Sequence, residues 1–188
     1  EATRTKKENY NAFKTKNGRD VFDGGGVQPD LEIELSKQTP ITKGILNENL
    51  VFNFATLYYY NNTVKDLNTF KLSDSDFNAF KSYLKTTGFN FETKTEKAMS
   101  AAIIIAKEEK LDGVINSEYK NLTSALQKYK TKAVSANKAQ LKALITDEII
   151  KRYFYSEGLY TYYTVNNPEI KKALSVLNNP SQYANILR

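Results

Sequence analysis

Two serines stand three residues ahead of a lysine, in Ser82-Tyr83-Leu84-Lys85 and Ser117-Glu118-Tyr119-Lys120. On a helix that spacing lets a lysine amine reach the hydroxyl, the arrangement by which penicillin-recognising enzymes activate their nucleophile. Neither match has the Ser-Asp-Asn or Lys-Thr-Gly element that completes such a site. Each falls in an ordinary amphipathic stretch of a lysine-rich chain, so both read as coincidences of composition. The chain has no His and no Cys. That excludes Ser-His-Asp and Cys-His catalysis, the usual zinc sites, the Glu-x-x-His di-iron pattern and disulfides.

The carboxylates give no dyad. Glu108-Glu109 and Asp147-Glu148 are adjacent pairs, which a helix splays about a hundred degrees apart. Asp74 and Asp76 have the spacing that starts a calcium loop, but the glycine and the closing Glu of such a loop are missing. Asp76 is better used as a helix cap. Gly24-Gly25-Gly26 could cradle an anion with backbone amides, yet a phosphate loop continues into Lys-Ser or Lys-Thr, and Val27-Gln28-Pro29 is neither. The expectation is no catalytic, cofactor-binding or metal-ligating residue in this chain.

The elements that would position these groups are mostly helices. Leu46, Leu50, Phe54 and Leu57, with Val51, Ala55 and Tyr58 beside them, form one helical stripe after Thr39-Pro40. Ser73 as N-cap with Asp76 at N3, and Leu72 with Phe77 at the staple positions, start a second helix through Phe80 and Leu84 to Gly88. Thr93-x-x-Glu96 is another capping box, ahead of Met99, Ala102, Ile103 and Ala106. Ile115, Tyr119, Leu122, Leu126 and Tyr129 mark a fourth helix, and Leu141, Leu144, Ile145, Ile149 and Tyr153 a fifth. Asn167-Pro168 and Asn179-Pro180 each put a capping residue before a proline suited to N1, opening short helices with Ile170, Ala173, Leu174 and Leu177, then Tyr183, Ile186 and Leu187. No fixed-period repeat is present. The expected class is mainly α, an irregular bundle of five to seven short helices preceded by a short β-hairpin segment.

The hairpin comes from residues 13 to 34. Thr15-Lys16-Asn17-Gly18-Arg19 leads to a turn at Gly24-Gly25-Gly26, because three glycines before Val27-Gln28-Pro29-Asp30 suit neither a helix nor an ordinary strand. Phe22, Val27, Leu31, Ile33 and Leu35 can seat strands on a core, and Arg19 and Asp30 are candidates for an ion pair or turn hydrogen bonds that fix the turn. Residues 1 to 12 read as a polar surface insertion or disordered lead-in.

The string F-K-T-K-N-G-R-x-V-F-D-G-G-G-V-x-P-D, from Phe13 to Asp30, resembles the end of the peptidase domain in carboxy-terminal processing, or tail-specific, serine peptidases. The helical remainder is similar to the C-terminal region of a subset of that family. The resemblance implies a Ser-Lys dyad and a PDZ domain that presents the substrate's C-terminus, with the dyad upstream of Glu1. It makes this chain the C-terminal portion of an endopeptidase that cleaves proteins near their C-termini. Residues 1–36 would be the end of the peptidase domain and 37–188 a helical C-terminal domain, structural or regulatory and inactive alone. The implied partners are the parent's own peptidase and PDZ domains and a protein or peptide substrate, with a homo-oligomer possible. The implied location is the periplasmic or secreted side of a Gram-negative envelope, with any signal or membrane anchor upstream.

Composition bears on the partners. The 188 residues carry a formal charge of +6, but acids are interspersed among the lysines, so no nucleic-acid face is expected. The longest apolar run, Ala101 to Ala106, is far short of the about twenty residues that span a bilayer, so no direct membrane insertion by this chain is expected. Thirteen tyrosines concentrate at Tyr58-Tyr59-Tyr60 and at Tyr153, Tyr155, Tyr160, Tyr162 and Tyr163. Consecutive tyrosines point around a whole helix, so at least one per cluster faces solvent or a partner. Plain packing and docking against a peptidase domain or a second subunit both satisfy that geometry. The rival function is therefore a non-catalytic helical interaction module with a Tyr-rich docking face.

Overall fold

The computed structural model describes residues 11–23, 30–33 and 37–187. Its elements are β1 (Ala12–Lys14), β2 (Asp20–Phe22), α1 (Pro40–Asn47), α2 (Leu50–Asn61), α3 (Asp74–Thr86), α4 (Lys94–Glu108), α5 (Asp112–Ala136), α6 (Lys138–Asn166), α7 (Pro168–Leu177) and α8 (Pro180–Ile186). The chain divides into two compact units, one spanning Ser36–Tyr162 and the other combining the hairpin segment with the chain from Tyr163 onward.

The larger unit is built on local signals. Ser73 and Asp76 cap each other's backbone N–H groups at the start of α3, and Thr93 and Glu96 do the same for α4. Leu72 and Phe77, the staple pair, are both buried. The core gathers Ile41 and Ile45 from α1, Phe54 and Ala55 from α2, Phe80 and Leu84 from α3, Ala133 from α5, and Leu141, Ile145 and Ile149 from α6. Phe80 lies at its centre, edge-on to Phe54 with ring centroids 5.1 Å apart. Burying each such ring contributes roughly 2–3 kcal/mol, which is how helices with few strong propensities are held together.

Three local readings are corrected. The first stripe is two helices, because Asn49 takes the left-handed conformation at φ 55° and breaks the run between α1 and α2; asparagine is one of the few residues that tolerate it. Among the described residues there are therefore eight helices, and α5 and α6 are long, at 25 and 29 residues. The fourth stripe is only half covered: Ile115, Tyr119 and Leu126 are partly buried against neighbours, while Leu122 and Tyr129 are exposed. Helix α5 pairs with α4 and, less extensively, with α1. Helix α6 is interrupted at Tyr155, whose φ of 59° and ψ of −166° lie outside the helical region.

In the smaller unit, β1 and β2 pair antiparallel with Phe13 opposite Val21. Gly18 supplies the positive φ, 85°, that closes the turn, and the Thr15 backbone N–H donates to the Arg19 carbonyl at 2.9 Å. Asn11 donates its backbone and side-chain N–H groups to the Asp23 carboxylate at 2.7 and 2.8 Å, closing the open end. Arg19 pairs with Asp30 as expected. Leu31 and Ile33 form no strand, since no partner among the described residues accepts their backbone bonds; Gly24 to Pro29 and Leu35 lie outside the described residues. Asn167 and Asn179 cap α7 and α8 ahead of their prolines, through Oδ1.

Candidate functional site

The most closely built cluster in the larger unit surrounds Phe91. The segment Phe89-Asn90-Phe91 crosses α1 at Gly44, where an added Cβ would stand 3.0 Å from the Phe91 Cβ and 3.3 Å from the Phe89 ring. A side chain at position 44 would push the segment away, so glycine sets this close approach. The Phe91 and Phe89 rings stack with centroids 6.2 Å apart. Lys130 on α5 lies over the Phe91 ring at 5.1 Å and donates to Glu96 Oε1 at 3.0 Å. Glu96 uses its other oxygen to accept from the Thr93 backbone N–H at 2.7 Å. That bond, then the Lys130 amine, hold the Glu96 carboxyl below its usual range against the opposing effect of burial.

Two grooves meet at Phe91. One, of about 670 Å³, lies between α1, the start of α4 and the Leu126–Tyr129 stretch of α5. The other, of about 300 Å³, has a floor of Ile41, Leu84 and Val134.

A second cluster ties α2 to α6. Arg152 donates to the Phe52 carbonyl at 2.7 Å, to Thr56 Oγ1 at 2.9 Å and to Glu148 Oε2 at 3.0 Å, and its guanidinium lies 4.2 Å over the Phe52 ring. Burial raises the Glu148 carboxyl, but Lys151 and Arg152 together bring it below its ordinary value. The Tyr153 hydroxyl donates to the Asn62 carbonyl at 2.7 Å. The Arg152 guanidinium and the Tyr153 hydroxyl thus hold α6 to α2 and the residue that follows it.

The candidates from sequence fare differently. Ser82 and Ser117 are exposed, as are Lys85 and Lys120, and neither serine bonds its lysine. Asp74 is taken by Lys138 at 2.8 Å and Lys142 at 3.1 Å, which lower its carboxyl, while Asp76 caps α3. Among the described residues no three potential metal ligands converge. Tyr58 and Tyr153 pack inside the unit, whereas Tyr60 and Tyr155 are 77% and 74% exposed. Sequence reasoning missed Lys130, Phe91 and Arg152. Each has a partner 34 or more residues away in the chain, beyond the reach of any spacing rule, although Arg152 also bonds Glu148 one turn back and Phe91 stacks on Phe89.

The hairpin of the smaller unit presents Phe13, Val21 and Phe22 to solvent. Two three-residue strands with exposed apolar side chains on both faces have no core of their own.

A family model for the C-terminal helical domain of a probable PDZ-protease matches residues 41–177. The chain belongs to that family. The match runs from α1 to the end of α7 and so covers a different stretch from the Phe13–Asp30 motif. Both point to the C-terminal portion of a processing protease. The PDZ-protease helical domain is an accessory region, and its family implies a parent with peptidase and PDZ parts. No curated protein and no solved structure matches the chain. No helix among the described residues of this PDZ-protease domain is long and apolar enough to cross a membrane.

Proposed function

We propose that this PDZ-protease chain is the non-catalytic C-terminal region of a serine endopeptidase of the Ser-Lys dyad type, which cleaves proteins near their C-termini on the periplasmic or secreted side of a Gram-negative envelope. Residues 1–36 complete the peptidase domain and 37–188 form the helical domain. In such a parent a serine, activated by a lysine kept neutral by burial, forms an acyl-enzyme that water hydrolyses. This chain supplies neither group. It supplies the hairpin and helices that govern substrate access, position a neighbouring domain or mediate self-association.

The observation that supports this reading is the hairpin. A two-stranded ribbon is marginal alone, and one carrying Phe13, Val21 and Phe22 in solvent is explained by further strands on its edges and a core beneath it. The motif around it resembles the one that follows the dyad lysine in tail-specific peptidases.

The test is hydrolysis of an unstructured protein by this chain, by the chain restored to its upstream sequence, and by the restored protein with its candidate upstream serine changed to Ala. Cleavage by the restored protein alone, lost in the Ala variant and kept in Ser82→Ala and Ser117→Ala, is the expected result. No cleavage by the restored protein would favour the second reading, a helical adaptor. Its support is the exposure of Tyr60, Tyr155 and Tyr160, whose flat rings with polar tips suit a protein interface.

A further inference from the structure

The geometry points to the paired grooves at Phe91 as a binding site for an acidic polypeptide segment that carries large apolar side chains. Four lysines edge them: Lys43 and Lys94 on the larger groove, Lys81 and Lys85 on the smaller. None of the four forms an ion pair among the described residues. Among the described residues the only carboxylate lining either groove is Glu92, which is already engaged by Lys97 at 3.6 Å. The fifth lysine, Lys130, is neutralised by Glu96. Lysines of this unit that do have carboxylate partners among the described residues are Lys97, Lys130, Lys138, Lys142 and Lys151, and the four at the groove rims are not among them. Lined by five lysines and one carboxylate, the grooves carry a local excess of positive charge.

The lining specifies more than charge. Ile41, Leu84 and Val134 give the smaller groove an aliphatic floor, which suits a Leu or Phe side chain and offers nothing to a sugar-phosphate backbone. Gln38 and Asn47 on one side, and Asn90 and Gln127 on the other, carry amides that both donate and accept. That is the pairing a peptide backbone requires. Apolar side chains would seat on the floor, backbone groups would pair with the amides, and Asp or Glu side chains would meet the lysines on the rim. The site stands on this unit alone and does not depend on the catalytic class of the parent.

The experiment uses the 188-residue chain and a short fluorescein-labelled peptide in which Glu alternates with Leu and Phe, read by fluorescence anisotropy at low and physiological salt. Binding is expected, weakened about fivefold or more in Lys81→Glu/Lys85→Glu and in Lys43→Glu/Lys94→Glu, and changed less than about twofold in Lys107→Glu/Lys120→Glu. That last pair carries the same charge change on exposed positions outside both grooves. An equal loss in the control pair would reduce the effect to the overall field of the protein. Equal binding of a polyglutamate peptide would remove the apolar subsite, and tighter binding of a short single-stranded oligonucleotide that depends on the same lysines would replace the peptide with nucleic acid. Any of these, or no binding, overturns the assignment.

Discussion

Glu96 and Lys130 meet at 3.0 Å across α4 and α5, with side chains only 16% and 9% exposed. The same carboxylate caps its own helix through Thr93, so one residue both starts α4 and fastens it to α5. Replacing Glu96 by Ala should lower stability by about 1–2 kcal/mol, through the lost cap and the unpaired Lys130. Glu96→Gln keeps an acceptor for the Thr93 N–H and should cost less than half as much. Urea denaturation of both variants separates the two contributions.

Acid and alkali should each destabilise the fold, for opposite reasons. The Glu96 and Glu148 carboxyls lie below their unfolded values, near 4.3, so their stabilisation is complete above that pH and disappears as pH falls through the folded values. Burial raises the Tyr58, Tyr153 and Tyr162 hydroxyls. Their contribution is present below the unfolded value of about 10 and is lost as pH rises through the raised folded values. Melting temperature measured from pH 3 to 11 should therefore show a plateau between about pH 5 and 9 and fall on both sides. A maximum below pH 4 would contradict the carboxylate assignment.

Tyr155 offers an unusual test, because substitution by glycine should stabilise. Its φ and ψ, 59° and −166°, belong to a region essentially reserved for glycine, which costs other residues about 1–3 kcal/mol. Its ring is mostly in solvent, so little packing is forfeited. Tyr155→Gly should raise the unfolding free energy by about 1 kcal/mol, whereas glycine at Ile149, inside the same helix and fully buried, should do the opposite.

Phe13 and Val21 face each other across the hairpin. Changing both to Asp places like charges side by side where a larger sheet would need an apolar pair. In this chain the double variant should melt with the parent, within about 0.5 kcal/mol for exposed positions. In the protein restored to its upstream sequence it should reduce hydrolysis by about tenfold or more, since each 1.4 kcal/mol of unpaired burial is a decade. Full activity there would show that the hairpin does not seat on a core.

What was readable in the sequence was local. Ser73 with Asp76, Thr93 with Glu96, and the Asn-Pro pairs at 167 and 179 declare themselves within one turn of chain, and all four open helices where expected. The Arg19–Asp30 pairing was also visible, as opposite charges on either side of the glycine-rich segment. The breaks at Asn49 and Tyr155 were not, since a residue's visit to positive φ is imposed by the packing around it. Nor was the exposure of Leu122: a stripe announces which face is apolar and says nothing about what covers it. The Phe91 cluster escaped because Glu96 was already explained as a cap, and the lysine that shares it lies on another helix.

The α4–α5 hairpin is fastened at one end. Ala133 and the Glu96–Lys130 pair join it to the core, while Ile104, Ile105 and Val114 near the connecting turn stand in water. Mechanically it is a cantilever: a small angular play at the clamp becomes a displacement that grows along the arm, so amide exchange should quicken steadily from Ala133 towards Val114 instead of switching at a boundary.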